Sequence, residues 1–130
     1  MTICIDTNAY SQLLRGNAAL SSVLEISNEI VVPAAVVAES AEGFLLGSRF
    51  QDNMARLEAF LARPNVRFQA ADRRIAIRFG IMKASLRRKG RPIPVNDIWI
   101  AATAFETGAQ IVSYDHHFDE IEGLIPRIAP

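Results

Sequence analysis

Cysteine is nearly absent, with Cys4 alone in a chain of 130 residues. A lone cysteine forms no internal disulfide, and within Ile3-Cys4-Ile5 it reads as a small hydrophobe in a strand. Histidine is almost as scarce, only the adjacent His116 and His117 being present. That excludes the spaced Cys and His sets that close a zinc site. No apolar run approaches the roughly 18 to 20 residues needed to span a bilayer. An acid at position 6 interrupts any leader-like opening, so a cytoplasmic protein is expected. Net charge is also lacking: 14 Lys and Arg stand against 14 Asp and Glu, which excludes a uniformly basic nucleic-acid binder.

What is present suffices for a fold. Half the residues are hydrophobic, enough for a two- or three-layer core, and the length suits a single domain over 1–130. The charges are unevenly placed. Arg63, Arg67, Arg73, Arg74, Arg78, Lys83, Arg87, Arg88, Lys89 and Arg91 crowd one segment that holds a single acid, Asp72. The rest of the chain is acidic, and such asymmetry can guide a polyanion.

Apolar periodicity sets the order of elements. Residues 2–5 read as a buried strand stopped by Asp6, and Asp6-Thr7-Asn8 can cap a helix beginning near Ala9. A helix over 18–26, a strand at 30–32 and a helix from Ala34 to Leu46 follow, with Pro33 in the first turn. Residues 52–62 read as a helix and 66–68 as a strand. A longer helix over 72–89 puts Ile75, Phe79, Met82 and Leu86 on one face. Asn96-Asp97 opens a helix through Phe105, 110–113 form a strand, and 114–117 form the loop beyond it. Trp99 and Phe105 read as core, and a last short strand is expected near Arg127-Ile128. Alternating strands and helices imply an α/β domain whose sheet is mainly parallel and covered on both faces.

In such sheets ligands bind beyond the carboxyl ends of the strands. Asp6 and Asp115 fall at or just beyond such ends, Asp97 starts a helix at the end of a Pro-bounded linker, and Glu39 lies in the helix after the second strand. Four carboxylates brought together repel unless a cation compensates, and an all-oxygen set suits Mg²⁺ or Mn²⁺ acting on phosphate esters. Each acid has an ordinary alternative. Asp6 and Asp97 suit helix caps, Asp115 a turn, and Glu39 with Glu42 a solvated face. The basic stretch could equally be a solvated helix face, and the two histidines simple loop residues.

The same residues resemble a known family. Ile3-Cys4-Ile5-Asp6-Thr7-Asn8 is similar to the opening of PIN domains. Glu39, followed four residues later by Gly43, looks like their second motif and favours Glu39 over Glu42. Val95-Asn96-Asp97-Ile98-Trp99-Ile100-Ala101-Ala102 resembles the third, and Ile111-Val112-Ser113-Tyr114-Asp115-His116-His117-Phe118 the closing one. The resemblance implies a three-layer α/β/α PIN-like domain of the VapC toxin type. It implies an endoribonuclease dependent on Mg²⁺ or Mn²⁺, with Asp6, Glu39, Asp97 and Asp115 as both catalytic and metal-binding residues. Asn8 and Ser113 would be supporting polar groups, and RNA would meet Arg87, Arg88, Lys89 and Arg91. Implied partners are an RNA substrate, a small VapB-like antitoxin and a second copy of the chain. An antitoxin-free PIN nuclease maturing RNA, or a non-catalytic RNA-binding module, remains the alternative.

Overall fold

The apolar run Thr2–Ile5 forms strand β1, and Asp6 ends it by capping helix α1, Thr7–Leu14. Its carboxylate accepts a hydrogen bond from Ala9 N at 2.8 Å, so α1 starts earlier than its apolar spacing suggests. Helix α2 covers Ala18–Ile26, strand β2 Glu29–Pro33, helix α3 Ala34–Leu46 and helix α4 Phe50–Leu61. Strand β3 is Val66–Gln69, followed by helix α5, Arg73–Arg88, and helix α6, Val95–Thr107. Strand β4 is Gln110–Val112, and a 3₁₀ turn spans His116–Glu120. This computed structural model describes residues 1–130.

The four strands are all parallel, in the order β3-β2-β1-β4. Ile3, Cys4 and Ile5 in β1 and Ile30, Val31 and Val32 in β2 are all buried, so both faces of the sheet are covered by helices. Ala101, Ala102 and Ala104 are fully buried and let α6 approach the sheet closely. Phe79 of α5 stacks on Trp99 of α6 with ring centroids 4.0 Å apart, consistent with packing rather than base stacking. No helix is long and apolar enough to cross a membrane.

Chain order reverses between β1 and β4. The chain moves outward from β1 through β2 to β3, then returns to place β4 on the far side of β1. A crevice opens at such a reversal, beyond the carboxyl ends of the two central strands. Cys4 pairs with Ile111 and Ile5 with Val112, so the next step in register sets Asp6 beside Ser113.

Three local details differ from the sequence reading. Pro94, not Asn96, is the N-cap of α6, and this places Asp97 within the first helical turn. His116 and His117 belong to the 3₁₀ turn, because Asp115 accepts a hydrogen bond from His117 N at 2.9 Å. The tail makes a single parallel bridge, Val112 to Ile128, rather than a strand. Pro126 and Pro130, which lack N–H groups, flank it and limit further pairing.

Candidate active site

Asp6 is the most constrained acid. It is buried, and both carboxylate oxygens are held: Oδ1 by Ala9 N, and Oδ2 by the Ser113 hydroxyl at 2.5 Å. Ser113 is wholly buried, and its Oγ also accepts from Asp115 N at 2.8 Å. One hydroxyl thus links the end of β1, the end of β4 and the loop carrying Asp115. Burial pushes the Asp6 carboxyl above the ordinary carboxylate range, with the charges of Asp97 and Asp115 adding to it; the bonds from Ser113 and Ala9 pull the other way.

Asp97 points from the first turn of α6 with 17% of its side chain exposed. Its carboxyl is also raised, by desolvation first and then by Asp115 and Glu39, while His117 opposes the rise. Helix α3 carries Glu39 to the same region, where its Oε1 accepts from the Thr7 hydroxyl at 2.6 Å. The four acids therefore converge at one end of the sheet from β1, α3, α6 and the loop after β4.

Their compensation is incomplete. No Lys or Arg forms an ion pair with Asp6, Glu39, Asp97 or Asp115. The only basic group among them is His117, whose Nδ1 lies 2.9 Å from Asp97 Oδ2 and 3.1 Å from Asp115 Oδ1. The hydrogen bond to Asp97 raises the affinity of this imidazole for a proton, with desolvation opposing and Asp115 assisting. Donor atoms of Asp97, Asp115 and His117 lie within 4.8 Å of one another, close enough to share a metal ion. Oxygen-rich donors, partly desolvated and without a Lys or Arg partner, fit a hard divalent cation.

The supporting residues divide. Ser113 lies at the centre of the hydrogen-bond network, whereas Asn8 is exposed and no hydrogen bond holds its side chain. Thr7 and His117 are the contacts that sequence reasoning did not single out. The Asp6-Thr7-Asn8 string contained the first, and the spacing of His117 two residues after Asp115 was the only sign of the second.

The basic stretch is heterogeneous. Arg87 and Arg88 make no ion pair, and with Gly80, Lys83 and Ala84 they line an open cavity of about 420 Å³. Lys89 pairs with Glu122 at 3.1 Å and Arg91 with Glu120 at 3.5 Å, so both are partly neutralised. Arg78 pairs with Glu106 at 3.6 Å and lies 4.0 Å over the Phe105 ring, a packing role.

Comparison with known proteins gives the family. Residues 3–124 match the family model of the PIN domain, and the chain belongs to the PIN-domain family. It is 25% identical over 119 residues to Ribonuclease VapC1 of Haemophilus influenzae, covering 88% of this chain and 87% of that protein. Its fold matches a chain in the crystal structure of Rickettsia felis VapBC2 bound to a promoter DNA fragment, with a TM-score of 0.90 at 23% identity over the full length of both. It also matches a chain of VapBC-5 from Mycobacterium tuberculosis, a member of the VapBC family of toxin-antitoxin systems. That match has a TM-score of 0.76 at 22% identity and covers 98% of each chain.

Proposed function

We propose that this chain is a metal-dependent endoribonuclease and the toxin of a VapBC-type toxin–antitoxin pair. One observation carries the chemistry: four acids from separate segments converge without a Lys or Arg counter-ion, at the crevice where the sheet reverses its order. The similarity to Ribonuclease VapC1 supports RNA as the substrate, and the structural likeness to VapBC chains fits a small antitoxin as partner.

Asp6, Asp97 and Asp115 would hold Mg²⁺ or Mn²⁺, with Glu39 completing the set. Such an ion supplies charge neutralisation at a scissile phosphate and makes water more acidic. The protein's own contribution is positional. Asp6 is fixed by two hydrogen bonds and cannot swing away. Thr7 occupies Oε1 of Glu39, and Oε2 is the oxygen left to take a proton from the attacking water. In-line attack forms the new oxygen–phosphorus bond as the bond to the 3′-oxygen breaks. That oxygen takes a proton, leaving a 3′-hydroxyl and a 5′-phosphate. Arg87 and Arg88, free of acidic partners, would hold flanking phosphates, with Lys89 and Arg91 contributing less.

Exposed apolar side chains suit the partner proteins. Ile26 at the end of α2 is 72% exposed and Leu46 at the end of α3 is 84% exposed, and each is a side chain that a macromolecular partner would cover. A second copy and an antitoxin are both proposed partners.

The test is cleavage of a labelled structured RNA pool by purified, antitoxin-free chain, with Mg²⁺ or Mn²⁺, with EDTA, and as Asp97→Asn. Cutting should need metal and disappear in Asp97→Asn. Normal cutting by that variant, or in EDTA, would sink the proposed site. A folded wild-type chain that retains RNA with metal and never cuts it would point to a binding module instead.

A further inference from the structure

We propose that His117 supplies a nitrogen donor to the divalent-ion site and so tilts it towards Mn²⁺ over Mg²⁺. The inference rests on the metal-site reading above. His117 Nδ1 lies 2.9 Å from Asp97 Oδ2 and 3.1 Å from Asp115 Oδ1. Donors on adjacent corners of an octahedron with bonds of about 2.1 Å are separated by about 3.0 Å. Both separations match that edge length, and all three donor atoms lie within 4.8 Å of one another, so they can turn towards one ion.

The ring is brought there by the backbone. Asp115 caps the 3₁₀ turn through His117 N, and the next residue, Phe118, is buried and anchors the turn to the core. The two histidines of this turn then diverge. His116 is tied into a structural network, 2.8 Å from Arg127 and 3.3 Å from Asp119. His117 meets only the two site carboxylates, and 46% of its side chain is exposed. The carboxylate pair are the only side-chain partners its ring nitrogens have.

Donor chemistry gives the direction of the preference. Mg²⁺ takes oxygen ligands and keeps several waters. Imidazole suits the transition metals, and an oxygen set that gains one nitrogen discriminates in their favour. Four carboxylates alone would separate the two ions poorly.

The experiment titrates the purified full chain with Mn²⁺ and with Mg²⁺ by calorimetry. It also records pulsed electron paramagnetic resonance of the Mn²⁺-bound protein, for wild type and His117→Ala. Wild type should show ¹⁴N hyperfine coupling to Mn²⁺, and the variant should not. His117→Ala should weaken Mn²⁺ by at least about tenfold, the scale on which even outer partners of metal ligands act. Its Mg²⁺ affinity should fall by less, and the preference for Mn²⁺ should shrink. Mn²⁺ bound to wild type without nitrogen coupling overturns the assignment of His117 while leaving the carboxylate site standing. It would mean that the ring bridges the acids only until the ion arrives. Failure of wild type to bind either ion overturns the site and this inference together. The spectroscopic reading needs no variant, so a folding defect in His117→Ala would not decide the matter.

Discussion

Ser113→Ala isolates the hydroxyl on which the site's geometry depends. Its Oγ donates to Asp6 Oδ2 and accepts from Asp115 N, with no water access, since Ser113 is wholly buried. Removing it costs a charge-assisted hydrogen bond of about 1.5 to 3 kcal/mol and leaves the Asp115 N–H unpaired at about 1 kcal/mol. The sum is about 3 kcal/mol. With roughly 2.1 cal/mol/K of unfolding entropy per residue, this corresponds to a fall in melting temperature of about 11 °C for a chain of this length. Urea unfolding in EDTA measures the stability directly, because no metal then masks the loss. The midpoint should fall without a change in slope. Ser113→Thr keeps the hydroxyl and should recover most of the difference. Activity should drop as well, by roughly ten- to a hundredfold, as Asp6 loses one of its two tethers. A Ser113→Ala variant within about 0.5 kcal/mol of wild type would refute the claim that this bond holds Asp6 in place.

Other perturbations test separate parts of the structure. The Tyr10 hydroxyl is buried with no hydrogen-bond partner, so Tyr10→Phe should be neutral or stabilising by about 1 kcal/mol in thermal unfolding. A clear destabilisation would reveal a partner for that hydroxyl. Arg127, with help from His116, holds the Asp119 carboxyl below its ordinary value of 3.8. Between the two values the unfolded chain binds more protons, so this stability is present above about pH 4 and is lost as pH falls through the lowered value. Asp119→Asn should flatten the acid limb of a melting-temperature profile, and an unchanged limb would count against the pair. On the inactive Asp97→Asn background, Arg87→Ala with Arg88→Ala should weaken RNA binding and lower the salt slope by about 1.4 if each arginine meets one phosphate of a single strand. Lys89→Ala with Arg91→Ala should change that slope less, since Glu122 and Glu120 already engage those cations. Filter binding across salt concentrations compares the two.

Local chemistry made much of this readable, and long-range geometry set the limit. The buried runs at Ile3-Cys4-Ile5 and Ile30-Val31-Val32 announce parallel strands because neither alternates with polar residues. Asp6 was visible at the end of the first run, and Asp115 just beyond Ile111-Val112. The strand order was not visible, because β4 reaches β1 through a pairing of Ile3 with Gln110 that no local pattern records. The start of α6 was misplaced by weighing Asn96 and Asp97 as caps. Pro94, with its fixed φ and extended backbone, ends the preceding linker and leaves Asp97 free to point into the site. His117 reads in the sequence as a simple loop residue for a related reason. Its position depends on an Asp115 side chain bonding a backbone N–H two residues on, a turn that sequence allows without demanding.

The neutral total charge conceals an imbalance that ties fold to function. Several basic side chains are committed to acids outside the site: Arg78 to Glu106, Lys89 to Glu122, Arg91 to Glu120 and Arg127 to Asp119. Asp6 and Asp97 meanwhile sit where burial disfavours their charged forms. A fold selected for stability alone would pair such acids with a lysine or arginine, or replace them with apolar residues. The half-exposed imidazole of His117 is a weak substitute, since it is charged only when protonated. The chain thus retains an electrostatic penalty that an external cation can relieve. Ion binding should therefore stabilise the folded state, with a melting temperature that rises with Mg²⁺ or Mn²⁺ concentration. In Asp97→Asn that rise should shrink, while the metal-free melting temperature should hold or increase.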